Sequence, residues 1–289
     1  MFHIDYLIAG HRLRIKELRL MAAVEKISGF DLFRVESEGE PICTASAATE
    51  KECPPMPADA KVLYTSSYEG YFSRFAKKAD GGFFYETTHE NGFKMVFETD
   101  SSATHSLFYG DFNADFIRFG LWLAFALAIL PTLTVPIHAS SILYKGKVIL
   151  FLGESGTGKS THSRLWLKNI EGSELFNDDS PFLKVENGKI IAYGTPWSGK
   201  TPCYRNESYP VAACVRLSQA PYNKITRLSV PAAYAALHPS CPPDFAYDER
   251  LYDYVSEFLG YVVAEVPVYH LDALPDAAAA FLSHDSVFA

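Results

Sequence analysis

Short apolar and aromatic runs, broken by turn-forming residues, occupy the first part of the chain. Residues 13–15, 62–64, 83–87 and 94–98 are rich in β-branched and aromatic side chains, with Gly, Asn and Asp between them. That pattern predicts strands. Gly81-Gly82 and Asn91-Gly92 are turn signals, and the second predicts a hairpin joining 83–87 to 93–97. The stretch 47–57 holds three prolines and reads as an exposed loop. From Asp115 the pattern changes. Residues 115–130 are largely apolar, with Asn113 or Asp115 as a cap and Pro131 as a stop, which predicts a helix. Two apolar segments, 139–144 and 147–152, flank a Lys145-Gly146 turn and predict a second hairpin. A helix over 161–168 and a strand over 175–176 follow, then a hairpin over 182–186 and 189–193 that turns at Asn187-Gly188. Beyond it come a strand (211–217), two helices (230–237, 250–261), a strand (266–271) and a last helix (275–282). This alternation predicts an α/β fold, with a β-rich (α+β) domain over 1–111 and an α/β domain over 112–289.

Composition changes that picture little. Apolar residues make up 48% and charged residues 21% of the 289, the balance of a folded globular chain. The net charge of −8 matters more, because it gives no general attraction to nucleic acid or to an anionic membrane. Neither is an expected partner, and any phosphate must be gripped by a local site. The five cysteines are scattered without a CxxC pair, which argues against a zinc site and a disulfide framework. The opening residues MFHIDYLIAG lack a basic stretch ahead of a long apolar one, so a cytoplasmic location is expected. The apolar run 119–130, between Arg118 and Pro131, is expected to be a core helix too short to span a bilayer.

The chemistry concentrates after residue 136. Gly153-Glu154-Ser155-Gly156-Thr157-Gly158-Lys159-Ser160 fits the phosphate-loop pattern GxxxxGK[ST] at every position, follows a predicted strand and opens a predicted helix. Its glycines let the backbone curl so that successive N–H groups face one anion, and the following helix adds its N-terminal partial charge. Lys159 can then reach the β- and γ-phosphates, and Ser160 can hold Mg²⁺ through its hydroxyl. Asp178 and Asp179 come directly after the next strand, where a neighbouring parallel strand ends beside the loop. Two carboxylates there can divide metal binding and general-base work. Hairpin arithmetic about Lys145-Gly146 sets His138 opposite Gly153, where an imidazole can contact a phosphate, orient a carboxylate or relay a proton. The same arithmetic about Asn187-Gly188 sets Asp179 opposite Pro196. It carries the loop 194–200 back towards the aspartates, with Trp197 as a candidate cover and Lys200 or Arg205 as candidate substrate or γ-phosphate ligands. A surface loop with an anchoring tryptophan fits the same residues. His162, Arg164 and Trp166 on the following helix are explained by helix packing.

Taken together, His138-Ala139-Ser140, GESGTGKST at 153–161 and Asn177-Asp178-Asp179 resemble the C-terminal catalytic domain of HPr kinase/phosphorylase. More distantly, they are similar to the nucleotide site of ATP-dependent phosphoenolpyruvate carboxykinase. In both families an aspartate pair follows closely on the phosphate loop, and the HPr kinases carry a histidine shortly before it. The resemblance implies a P-loop domain that binds ATP, or another nucleoside triphosphate, together with Mg²⁺ through 153–161. It implies that Lys159 holds the β- and γ-phosphates, that Ser160 binds the metal, and that Asp178 and Asp179 share metal and base roles with help from His138. It covers roughly 136 to the end, with its specific motifs within 136–200. Residues 1–111 show no match to the N-terminal domain of HPr kinase, and that family's longer phosphorylase signature is not found beyond the aspartates. The expected function is therefore a kinase-like phosphotransferase whose acceptor is a small molecule, a peptide or a protein serine. Two alternatives stand beside it, a phosphoenolpyruvate carboxykinase-like enzyme and a non-catalytic nucleotide sensor or adaptor. By analogy alone, a homo-oligomer is an expected state.

Overall fold

The computed structural model describes residues 2–50, 52–199 and 201–288. It is a mixed α/β chain that divides into two compact units, Met1–Pro131 with Pro243–Tyr252, and Thr132–Pro242 with Asp253–Ala289.

In the first unit nine strands form one sheet: β1 (His3–Ile8), β2 (His11–Lys16), β3 (Arg34–Val35), β4 (Cys43–Ala47), β5 (Lys61–Tyr68), β6 (Tyr71–Lys77), β7 (Phe83–His89), β8 (Lys94–Thr99) and β9 (His105–Gly110). Their order is β3-β1-β2-β4-β9-β8-β7-β6-β5, antiparallel except where β4 meets β2 and β9. The hairpin expected at Asn91-Gly92 is present, with Thr88 opposite Lys94. Helix α1 (Leu18–Val24) and helix α2 (Ala114–Ile129) also belong here. Asn113 caps α2 through its side-chain oxygen, which accepts from the Asp115 N–H at 2.9 Å, satisfying one of the helix's orphan donors. Along α2 the side chains of Phe116, Ile117, Leu121, Leu123, Phe125, Leu127 and Ile129 are buried. Each such burial contributes about 1.5–3 kcal/mol, so the helix is held by the first sheet's core.

That packing moves the expected boundary. The break falls after Pro131 instead of at 111, and the segment Pro243–Tyr252 also returns to the first unit. The apolar run expected to be too short for a bilayer belongs to a 19-residue helical stretch, Ala114–Thr132, that meets the length and hydropathy of a span. Two-thirds of that apolar stretch is buried within the protein. The stretch 47–57, expected to be exposed throughout, places Cys53 and Met56 against the buried cluster of Ala76, Phe84 and Val96.

The second unit carries β10 (Thr134–Pro136), β11 (Ala139–Tyr144), β12 (Lys147–Leu152), β13 (Glu174–Asp179), β14 (Phe182–Glu186), β15 (Lys189–Tyr193), β16 (Ser208–Gln219), β17 (Lys224–Arg227) and β18 (Val268–Ala273). Its main order is β10-β14-β15-β16-β12-β11-β13, with β18 beside β16 and β17. Strand β11 is antiparallel to both β12 and β13, so those two run the same way. Strands β16 and β18 also run with β12. Four strands therefore end at one edge of the sheet, the edge at which open α/β sheets bind ligands. Helices α3 (Lys159–Asn169), α4 (Val230–Leu237) and α6 (Ala277–Phe288) lie in this unit, and α5 (Glu249–Glu265) runs from the first unit's segment into it. Buried Ile142, Ile149, Phe151, Trp166, Val215 and Leu271 form a core shared by strands and α3.

Candidate active site

Three adjacent strands assemble the site. The ladder pairs Ala139 with Leu152 on one side and with Asp179 on the other. The residue before Ala139 is His138, and the residue after Leu152 is Gly153, so the imidazole stands between the start of the glycine-rich loop 153–160 and the end of β13. The Lys145-Gly146 turn closes β11 on β12 in the register expected from its length, Tyr144 facing Lys147.

The loop itself is built on left-handed backbone. Gly153, Gly156 and Gly158 have φ of 147°, 82° and 105°. At Gly158 a Cβ would meet nothing within 4 Å, so conformation rather than space demands glycine there. Gly158 is also the residue from which α3 starts, its carbonyl accepting from the His162 N–H at 2.8 Å. Thr157 turns its hydroxyl back onto the Glu154 carbonyl at 2.8 Å, while Glu154, Ser155 and Gly156 form the exposed tip.

Lys159 is folded into this loop. Its ammonium donates to the Gly153 carbonyl at 2.8 Å, to the Glu154 carbonyl at 3.2 Å and to His138 Nε2 at 2.9 Å, which uses all three donors. An imidazole nitrogen that accepts carries no proton, so the His138 proton sits on Nδ1. That nitrogen faces Asp179 Oδ1 at 3.3 Å. The result is a continuous Lys159–His138–Asp179 relay. Burial pushes the Lys159 amine below its ordinary pKa, an effect that Asp179 and Asp178 oppose and Arg216 reinforces.

The two aspartates have separate surroundings. Asp178 is buried, and its Oδ1 accepts from the Ser160 hydroxyl at 3.1 Å. Asp179 is half exposed and turns to His138. Its φ is 146°, a conformation that costs a non-glycine residue about 1–3 kcal/mol and that clusters at functional sites. What holds it there is the strand end packed against 198–199. Asp179 bridges to Ser198, the Gly199 N–H donates to the Asp178 carbonyl, and a Cβ at Gly199 would stand 2.8 Å from that carbonyl oxygen. The expected pairing of Asp179 with Pro196 is therefore displaced to Ser198. The β14–β15 ladder stops at Phe182–Tyr193, and the chain beyond it no longer follows a hairpin count.

Asn177 organises this corner, and it drew attention in the sequence only as the neighbour of the aspartates. Fully buried, it donates to the Trp197 carbonyl at 3.2 Å and accepts from the Ser180 N–H at 2.9 Å. Ser141 ties the same residue to β11 by accepting from the Asn177 N–H at 3.1 Å. Arg216 was also missed. It stands on β16 in register with Leu152, places Nη2 3.7 Å from Glu154, and donates from Nη1 to the Ala236 carbonyl at 3.2 Å. Gln219 donates to the Gly156 carbonyl at 3.0 Å and so ties the loop tip to β16. Only the parallel pairing of β12 and β16, remote in sequence, brings Arg216 and Gln219 here.

Other expected positions fall elsewhere. Trp197 is 3% exposed and stacked on Phe182 with ring centres 5.5 Å apart, so it braces the interior and does not cover the site. Arg205 pairs with Glu174 at 2.7 Å and with Glu207 at 3.5 Å. Glu174 begins the strand that Asp179 ends, so Arg205 is anchored about 17 Å away along β13. Lys200 lies outside the described residues. His162 and Trp166 both meet the Ser283 hydroxyl on α6, at 3.0 and 2.9 Å, and so pack α3 on α6. Thr161 is exposed on the first turn of α3.

No family model matches the chain, and no curated protein matches it. Among solved structures, the HPr(Ser) kinase/phosphatase from Coxiella burnetii is similar at 15% identity and a TM-score of 0.29, covering 52% of this chain and 91% of that one. The likeness is distant.

Proposed function

We propose that this protein binds a nucleoside triphosphate with Mg²⁺ on the loop 153–161 and transfers its γ-phosphate to a hydroxyl, as a kinase-like phosphotransferase with a site of the HPr kinase type. The carrying observation is the Lys159–His138–Asp179 relay beside the Ser160–Asp178 pair at the strand edge.

The residues fit the metal. Ser160 and Asp178 present two adjacent oxygen donors, 3.1 Å apart. That is the pattern for Mg²⁺, which one or two protein oxygens hold together with substrate phosphates. When bound, the ion neutralises charge on the β- and γ-phosphate oxygens. Lys159 exchanges its carbonyl and imidazole contacts for phosphate oxygens, and the exchange frees His138 Nε2. Arg216 adds a second cation next to the loop. Asp179, outside the metal pair and half exposed, takes the proton of the acceptor hydroxyl while the His138 Nδ1–H steadies its carboxylate. The acceptor oxygen forms its bond to phosphorus as the bond to the leaving diphosphate breaks. The division is Asp178 for metal and Asp179 for base.

The test is incubation with γ-labelled ATP, Mg²⁺ and a desalted cell extract, with Lys159→Ala as the blank. Label in a small-molecule or macromolecular fraction, absent with the variant, supports a kinase and names its acceptor class. Tight ATP binding with no variant-sensitive label points to a nucleotide sensor. Turnover that requires oxaloacetate points to the carboxykinase-like reaction.

A further inference from the structure

Next to the phosphate loop lies a groove of about 510 Å³ that the reading above leaves unused. Its size is in the ~300–1,000 Å³ range of small-molecule sites. It opens where the loop passes into α3, with Gly158 and Thr161 at its near end. Thr161 directly follows Ser160, so the groove begins where a triphosphate gripped by 153–160 leaves the loop.

The walls come from the sheet edge. Leu217 and Pro221 stand on the β16 side, and Leu274 and Pro275 on the β18 side. Both strands run parallel to β12, and their following loops converge on the phosphate loop at the edge where nucleotides sit in such sheets. The groove is preformed. Asn223 accepts from the Leu274 N–H at 2.7 Å and donates to Asp276 at 2.9 Å, which pins the loop after β18 to the loop after β16. Gln219 ties the same wall to the loop tip through the Gly156 carbonyl at 3.0 Å.

Its chemistry is narrow. The lining is Leu, Pro, Ala and small hydroxyl residues together with Gln219 and the imidazole of His162, and no Asp, Glu, Lys or Arg is among it. The imidazole is buried and committed to Ser283, and burial depresses its pKa to about 4, so it adds no charge. Such a slot suits a flat, uncharged ring system whose polar edge meets peptide groups.

We infer that this groove holds the nucleoside of the triphosphate, the base lying between the Leu217–Pro221 and Leu274–Pro275 walls. The inference rests on the nucleotide reading of the loop. It adds that affinity comes from the nucleoside as well as the phosphates, and that adenine and guanine are poorly distinguished. Strong discrimination needs side chains placed to pair with one base edge, whereas apolar walls separate similar ligands by roughly 10–200-fold at most.

The experiment is calorimetric titration with ATP, GTP and inorganic tripolyphosphate, each with Mg²⁺, on the full chain. Three variants accompany it: Ala220→Trp to fill the groove, Leu274→Ser to thin its wall without adding bulk, and Lys159→Ala. In the wild type, ATP is expected to bind at least 100-fold more tightly than tripolyphosphate, and GTP within about tenfold of ATP. Ala220→Trp and Leu274→Ser are each expected to weaken ATP and GTP by tenfold or more while leaving tripolyphosphate unchanged. Tripolyphosphate bound as tightly as ATP, or weakened equally by the groove variants, would overturn the nucleoside seat and leave the phosphate loop standing. A preference beyond about 200-fold between ATP and GTP would overturn the weak-selectivity half. Absence of binding by every ligand, with Lys159→Ala indistinguishable from wild type, would overturn the loop reading and this one together.

Discussion

Glu86 in the first unit and Asp179 in the second are both carboxylates on strands of large sheets, yet they are treated in opposite ways. Glu86 is buried on the interior strand β7, and its neighbours Arg74, directly across on β6, and Lys94 on β8 supply the opposite charge. Its pKa is held below the ordinary carboxylate value, because the Lys94 and Arg74 contacts outweigh desolvation, the largest single influence. Asp5 repeats the design with Arg12 and Arg14, and Asp248 with Lys77 at 2.6 Å. Asp179 instead sits at a strand end, half exposed, with a strained backbone and one imidazole at 3.3 Å. A charge closed off by cations within a sheet contributes to the fold. A charge held at the sheet edge against its backbone preference, with one side open, is free to act on something that arrives.

The contrast can be broken most sharply at Asp179. On the proposed mechanism Asp179→Asn keeps the shape and removes the base, so phosphoryl transfer is expected to fall by about 10²–10⁴-fold. ATP affinity should stay within about twofold, because Asp178 and Ser160 remain; a matched loss of affinity, read by titration, would place Asp179 in the binding set instead. Glu86→Gln should show the reverse. It leaves Arg74 and Lys94 facing a neutral amide, with an expected loss of about 2 kcal/mol in denaturant unfolding, below the ~3–5 kcal/mol of a fully buried pair because both cations are partly solvated. Nucleotide binding should not change.

Asp244 sharpens the comparison within the first unit, since it is a buried carboxyl that no cation pairs with among the described residues. Desolvation pushes its pKa up to about 6. In the unfolded chain it ionises near 3.8, so between about pH 4 and 6 the folded state holds the extra proton and stability falls as pH rises. Asp244→Asn is expected to raise stability at pH 8 by about 2 kcal/mol and to change little at pH 4, as read by unfolding at both pH values. A pH-independent difference would dismiss the buried proton. The smallest effect belongs to Trp197→Phe. Since the indole packs on Phe182 and does not cover the site, turnover should stay within about twofold while the melting temperature drops by a few degrees. A large fall in turnover without loss of stability would restore the lid.

Local signals made much of this legible. Asn113 ahead of an apolar run announced the cap and body of α2, and Lys145-Gly146 set a register that placed His138 beside Gly153. Counting failed once a ladder ended: past Tyr193 the chain turned to bridge Ser198 to Asp179, and Trp197 went into the interior. The domain boundary was misjudged for a related reason. A helix can be read from its own residues, but which sheet its apolar face covers depends on surfaces far away in the chain.

By itself the sequence determined the glycine-rich loop 153–160, the aspartate pair and the hairpin that sets His138 beside Gly153, because hydrogen-bond periodicity and left-handed glycines act over a few residues. Tertiary structure alone decided the rest. It brought Arg216 and Gln219 to the loop through parallel pairing of β16 with β12, gave Asp178 to Ser160 and Asp179 to His138, and anchored Arg205 at the far end of β13. The physical reason is range. Backbone preferences are settled between neighbours, whereas the pairing of distant strands and the sharing of buried charge depend on which surfaces meet when the whole chain buries its apolar area.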